Sequence, residues 1–323
     1  MEQKQQDYSG TLVPPAPIYN KDDEIDLREL FSALWKGKWI IIISTMLFAA
    51  LSVFYAISQP NVYKSDALLA PAESSNGGGL TKMAGQLGGL AALAGVNIGG
   101  SESSKTDLAV QVMRSRKFVD DFIKTHELLV PLMAAKGWDL STNKLLLDEE
   151  LYDAKLNKWL RNPKGLRGSE PSAQEAYQVF MRDVFKITED KESGLYTVSI
   201  MHYSPYIAQQ WVNWLVDDIN TVMRQRAISE STQNLNYLNT QLQKTSVADM
   251  QSTFYKLIEE QTKSLMLAEV QDEFVFKLID PAVVSEQKAK PNRALICVLG
   301  TLLGGIVGVG IVLIMFVIRK RQN

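Results

Sequence analysis

Three runs of adjacent carboxylates are the residues of this 323-residue chain best suited by type to do chemistry: Asp148-Glu149-Glu150, Asp217-Asp218 and Glu259-Glu260. Paired carboxylates can cleave glycosidic bonds, one as acid and the other as base or nucleophile. Here the first run opens or flanks a segment of helical spacing, where negative charge favours the helix dipole. The other two fall on the polar sides of long helical patterns, so solvated helix faces account for all three. A metal centre has too few ligands: the chain has two His and one Cys, whereas a structural zinc takes four. His126 and His202 are far apart in sequence and read as surface or packing residues. No Ser/His/Asp arrangement and no G-x-S-x-G nucleophile motif is found. The glycines from Gly77 onward lack the Gly-Lys-Ser/Thr ending of a phosphate-binding loop. The expectation is a protein with no catalytic residue, no cofactor and no metal. A net charge of −2, with no basic block in the central region, leaves nucleic-acid binding unsupported.

What the sequence does carry is two long apolar segments, one near each end. WIIIISTMLFAALSVFYAI runs from Trp39 to Ile57, and LICVLGTLLGGIVGVGIVLIMFVI from Leu295 to Ile318; neither holds a charged residue. At ~1.5 Å rise per residue each can cross a ~30 Å hydrocarbon core as a helix. Arg28, Lys36 and Lys38 precede the first, and Arg319, Lys320 and Arg321 follow the second. Basic short flanks face the cytoplasm, so both termini are expected inside and the region from Ser58 to Ala294 outside. The first segment is too long, too far from Met1 and too poor in A-x-A sites for a cleaved signal peptide. Cys297 lies inside the second segment, so the insert has no disulfide framework. Gly300, Gly304 and Gly308 recur every four residues and expose a ridge of bare backbone for close helix packing. Thr45, Ala49 and Ser52 offer a facing surface.

The remaining elements follow from periodicity. Residues 1–24 read as a disordered tail. Leu27, Leu30, Phe31, Leu34 and Trp35 form one apolar face, either of an amphipathic helix on the membrane surface or of a plain extension of the first span. VYKSDALLAP (Val62–Pro71) alternates as a strand. The glycine-rich stretch 77–100 reads as a surface loop rather than a third span. Thr106–Leu129 and Leu145–Leu160 carry helical patterns, and Ala173–Met181 reads as a short helix. Asp183–Met201 alternates about a Ser-Gly turn as a hairpin. Ser204-Pro205 starts a long helix. Its apolar stripe is wide from Ala208 to Met223, then narrows to Ile228, Leu235, Leu238 and Leu242. A narrow heptad-like seam suits a coiled-coil contact, expected here between subunits. Met250–Glu273 returns as a second helix. EFVFKLIDPAVV (Glu273–Val284) returns as a strand, with Val62–Pro71 as its expected partner.

Two terminal spans around an α+β insert with a long helix resemble the Wzz chain length determinants, or polysaccharide co-polymerases. The resemblance is carried by DEIDLRELFSALWKGKWIII with VYKSDALLAP downstream, by SGLYTVSIMHYSPYIAQQWVNWLVDDIN, and in position by DPAVVSEQKAKPNRALICVLGTLLGG. The last departs from the family's Pro-rich approach to the second span, keeping only Pro281 and Pro291. The resemblance implies a non-enzymatic, ring-like homo-oligomer of the bacterial inner membrane. It implies partnership with a Wzy-type polymerase and the growing polysaccharide, and control of O-antigen length. Larger relatives carry a tyrosine-kinase domain after the second span; here only Arg319–Asn323 follow, so the class without a kinase is expected. The alternative is an export or tyrosine-kinase adaptor subunit for capsule or exopolysaccharide. The expected layout is a cytoplasmic tail (1–24), a juxtamembrane amphipathic helix (25–38), transmembrane helix 1 (39–57) and a periplasmic α+β base (58–204). A long stalk helix with its return helix (205–273), a return strand and membrane-proximal segment (274–294), transmembrane helix 2 (295–318) and a short cytoplasmic tail (319–323) complete it.

Overall fold

The computed structural model describes residues 27–72, 101–245 and 247–322. The expectations for the tail 1–24 and for the glycine-rich stretch 77–100 lie outside these. The chain forms two compact units, one of residues 1–58 with 293–323 and one of residues 59–292.

The first unit is helical. Helix α1 (Leu27–Lys36) is set off from α2 (Lys38–Ser58) at Gly37, and α9 (Arg293–Gln322) packs along α2. Both α2 and α9 are long and apolar enough to cross a membrane. Phe31 and Trp35 stack at 6.4 Å, and the Lys38 ammonium lies 5.1 Å over the Trp35 ring. Arg293 Nε donates to the Ala56 carbonyl at 3.0 Å and ties the end of one long helix to the start of the other.

The second unit is a two-layer α+β domain. Its sheet runs β6 (Phe185–Glu189), β7 (Tyr196–His202), β1 (Val62–Pro71), β8 (Phe276–Asp280), and β9 (Lys288–Lys290) pairs the start of β1. All these pairings are antiparallel. Ser65, Ala67 and Leu69 of β1 point to the buried face, and the residues between them are half-exposed. That alternation is what a sheet with one covered face requires. The cover is the first half of α7 (Pro205–Lys244), which buries Trp211, Val212, Leu215, Val216 and Ile219 against the sheet. Removing one such side chain from water is worth about 1.5–3 kcal/mol. Ser204 caps α7 by accepting from the Ile207 N–H, and Pro205 fills the first turn. Helices α3 (Ser101–Met113), α4 (Arg116–Thr125) and α6 (Ala173–Val179) complete the core through Met113, Phe122 and Phe180, the last in a π-turn at Phe180–Val184.

The expected hairpin at Asp183–Met201 forms as β6 and β7, and the expected partnership of the first and last strands forms as β1–β8. The long helix is unbroken over 40 residues, and its return α8 spans Ala248–Val270.

Two helical expectations need correction. Thr106–Leu129 is broken at Ser115, which caps α4 by accepting from the Phe118 N–H; a short α5 (Leu129–Met133) follows Glu127 at φ 54°. Leu145–Leu160 is not helical at all. It contains β3 (Lys144–Leu147), paired with β2 (Ala135–Asp139), and the small hairpin β4 (Tyr152–Asp153) with β5 (Lys158–Trp159). The acids decide this. Asp148 accepts from the Glu150 N–H, and Asp153 accepts from the N–H groups of Lys155 and Leu156. Such local bonds offer the backbone an alternative to the helix. Asn143 and Asn157 take the left-handed turn positions, at φ 50° and 51°.

His202, at the end of β7, is buried. Its Nε2 lies 3.1 Å from the Pro131 carbonyl and its Nδ1 accepts from the Ser204 N–H at 3.1 Å. A neutral ring protonated on Nε2 satisfies both. Burial pushes this imidazole down to about 4, against ~6.5 in an unfolded chain. Between those values the unfolded state binds the proton and the folded state refuses it. The stabilisation is therefore complete above pH ~6.5 and is lost as pH falls toward 4. The urea midpoint of the full chain in detergent, followed by Trp fluorescence, should drop between pH 7.5 and 4.5. The expected loss is about 3 kcal/mol. His202→Asn should be less stable at pH 7.5 and show a flatter pH dependence.

Candidate functional site

Three features can serve function: the hairpin of α7 and α8, the ridge on α9, and the polar groups that lock the domain.

Beyond Arg226, α7 leaves the sheet and runs beside α8. Ile228, Leu235, Leu238 and Leu242, the seam residues expected to meet another subunit, are each half-buried on this part of α7 within the single chain. Phe254, Ile258 and Leu265 of α8 are half-buried in the same way, and Ala268 is buried. The chain's own return helix thus takes up part of that apolar stripe. The outward faces of the hairpin still expose Tyr237, Tyr255, Met266 and Val270, the last at 81%.

On α9, Gly300, Gly304 and Gly308 face α2. A Cβ on Gly300 would fall 2.4 Å from the Ser52 Cβ, one on Gly304 2.6 Å from the Phe48 Cβ, and one on Gly308 2.9 Å from the Ile41 Cα. No real side chain tolerates such separations, so the two helices touch backbone to side chain at three successive turns. The Ser44 hydroxyl donates to the Gly304 carbonyl at 2.9 Å. Of the residues expected to face the ridge, Thr45 and Ser52 are in contact; Ile41, Ser44 and Phe48 join them.

The carboxylate runs do not converge. Asp148 is spent on its own turn, and Glu149, Glu150, Glu259 and Glu260 are exposed. Asp217 is exposed on α7; partial burial and the adjacent Asp218 push its carboxyl up. Asp218 turns the other way and meets His126 Nε2 at 2.9 Å, while the His126 ring stacks on Trp214 at 4.2 Å. This contact fastens the end of α4 to α7. Arg161 grips Glu175 with two nitrogens at 2.9 and 2.7 Å and also donates to the carbonyls of Gly168, Ser169 and Glu170. Those bonds, with the Ser172 N–H, hold the Glu175 carboxyl down at about 2. Among the described residues no group of three His, Cys, Asp or Glu side chains could hold a metal ion.

The residue that sequence reasoning missed is Asn220. It is buried in α7, donates to the Phe276 carbonyl at 2.9 Å, and accepts from the N–H groups of Val275 and Phe276 at 2.9 Å. One amide therefore satisfies three backbone groups where the chain enters β8. The only signal was a polar residue inside a wide apolar stripe.

Residues 23–126 match the family model of the chain length determinant protein, Wzz. Residues 237–315, from the far half of α7 through the glycine ridge, match the GNVR model, described as "G-rich domain on putative tyrosine kinase". No curated protein matches the chain significantly. Among solved structures, a full-length bacterial polysaccharide co-polymerase is 16% identical, over 91% of this chain and 99% of that one, with a TM-score of 0.37. A fragment of WzzB, a polysaccharide co-polymerase from Salmonella Typhimurium, is 12% identical, over 71% of this chain and 100% of that one, with a TM-score of 0.31. The chain thus carries a chain length determinant (Wzz) domain over the N-terminal apolar helix and β1, and a GNVR domain that reaches the C-terminal one.

Proposed function

We propose that this chain sets the length of O-antigen polysaccharide as a homo-oligomeric co-polymerase of the bacterial inner membrane. It works with a Wzy-type polymerase on the growing glycan and catalyses no step itself. Its termini are cytoplasmic and the unit 59–292 is periplasmic. The match of residues 23–126 to the chain length determinant model carries this reading. The basic flanks at Lys36, Lys38 and Arg319 support the orientation. The glycine ridge holds the two spans together as one pair. The α7–α8 hairpin carries contacts between copies.

The GNVR match favours a second reading, in which the chain serves a tyrosine-kinase-linked system that makes capsule or exopolysaccharide. Deleting the gene and resolving lipopolysaccharide repeats on a gel separates the two. Loss of a preferred O-antigen length, restored by the intact gene, supports the first. An unchanged ladder with an altered capsule or exopolysaccharide supports the second.

Three substitutions test the parts. Gly304→Leu should force α2 and α9 apart, lower the thermal stability of the protein in detergent by about 1–3 kcal/mol and blur the length distribution. Gly310→Leu, where a Cβ would meet nothing within 4 Å, should leave both unchanged. Leu238→Asp should loosen the hairpin and change oligomer size or glycan length; an unchanged oligomer and an unchanged ladder would remove the seam from the mechanism.

A further inference from the structure

A cleft of about 310 Å³ opens where α7, α8 and α3 come together beside the segment leading into β8. It exists because the two long helices present small side chains there: Ala227 and Ser231 on α7, Ser264 and Ala268 on α8. Two helices built only to pack would fill such a space with Leu or Ile. Here the walls set Glu230, Asn234, Gln261, Gln271 and Arg226 beside the apolar Leu108, Met223 and Leu267. Gln261, Ser264 and Gln271 are half-buried. Among the described residues none of the side chains of Glu230, Asn234, Gln261 or Ser264 is engaged by a hydrogen bond or ion pair within the chain. Glu230 and Asn234 are exposed and Gln261 and Ser264 half-buried, so these polar groups stand open to water or to a ligand. At one end Phe274 supplies an aromatic surface, with the Lys105 ammonium 6.0 Å from its ring.

The lining selects the ligand. Amides both donate and accept, the serine hydroxyls do the same, and Glu230 accepts. Adjacent hydroxyls of a sugar ring need this mixture, and the C–H face of the ring needs an apolar surface such as Phe274. A single carboxylate is too few for a divalent cation. The mixture of polar and apolar walls suits a ligand with both hydroxyl groups and a C–H face rather than a wholly apolar one. The volume is at the low end for small-ligand pockets.

We propose that this cleft binds a short stretch of polysaccharide, about one or two pyranose rings, on the outside of the α7–α8 junction. The inference rests on the polysaccharide reading above and adds a contact between this chain and the glycan itself.

The test uses the full chain in lipid nanodiscs. The probe is the host cell's own surface polysaccharide, released by mild acid and sized to a few repeats, with maltotriose as a control. Saturation-transfer NMR should show transfer to ring protons of the fragments. Asn234→Ala with Gln261→Ala removes polar partners, and Ser264→Phe fills the space. Each should cut transfer at least fivefold while oligomer size and thermal midpoint stay as in the wild type. Two variants of different kind guard against one that folds poorly. No transfer to the wild type, or equal transfer to wild type and both variants, overturns the cleft. The cell separates this from the broader reading. Deletion that leaves every surface polysaccharide unchanged overturns both. Deletion that abolishes the preferred length, with full rescue by Ser264→Phe, overturns the cleft and leaves the length-setting role standing.

Discussion

Strand β1 is paired along both edges, and everything in the unit 59–292 depends on that pairing. One edge meets β7. The other is shared by β8 on Leu68–Pro71 and β9 on Val62–Tyr63. The first strand of the chain is thus completed only by the last two, with α7 and α8 between them in sequence. Contacts of such sequence separation are entropically expensive to close. Asn220 offsets part of that cost by holding the backbone at Val275 and Phe276. It lies on the half of α7 already packed on the sheet, so the helix positions the strand that seals β1.

The long helix has two lives, divided near Arg226. Its first half is a core element, with Trp211, Leu215 and Ile219 almost wholly buried. Its second half is rich in Gln and in Ser, Thr and Asn, the last three weak helix formers when isolated. Thr232 and Thr240 bond back to the carbonyls four residues earlier, which adds no stability to a helix. That half persists because α8 lies against it. The stripe of Ile228, Leu235, Leu238 and Leu242 is half-buried within the chain's own hairpin.

This division explains what could be read in advance. The membrane helices were legible because span length and absence of charge are local properties, and the glycine ridge because close approach depends only on spacing. The β6–β7 hairpin and the start of α7 were legible through a Ser-Gly turn and a Ser-Pro cap. Leu145–Leu160 was misread because apolar spacing over a short run fits both periods, and the competition was settled by Asp148, Asp153 and Asn157, whose side chains bond the backbone locally. The polar cleft was not legible. It arises from small residues on two helices that meet only in the fold, and nothing in either helix alone marks Ser231 and Ser264 as neighbours of one space.

The half-burial of the seam bears on how copies can meet. A narrow apolar stripe on a polar helix fits a partner within the chain as well as one from another subunit, and here α8 takes up part of it. Under the proposed homo-oligomer the other faces are open to contacts between hairpins too, with Tyr237, Tyr255, Met266 and Val270 exposed in polar surroundings. Scattered aromatic and aliphatic anchors on a polar surface make an interface of modest hydrophobic area, in which geometry counts for more than burial. The membrane pair is the opposite case. At Gly300, Gly304 and Gly308 the backbones approach so closely that any side chain would separate them. Packing without bulk is what association in lipid rewards, since lipid tails already satisfy apolar surface. The α2–α9 pair thus rests on intimate backbone contact, and the hairpin on a narrow apolar stripe in polar surroundings.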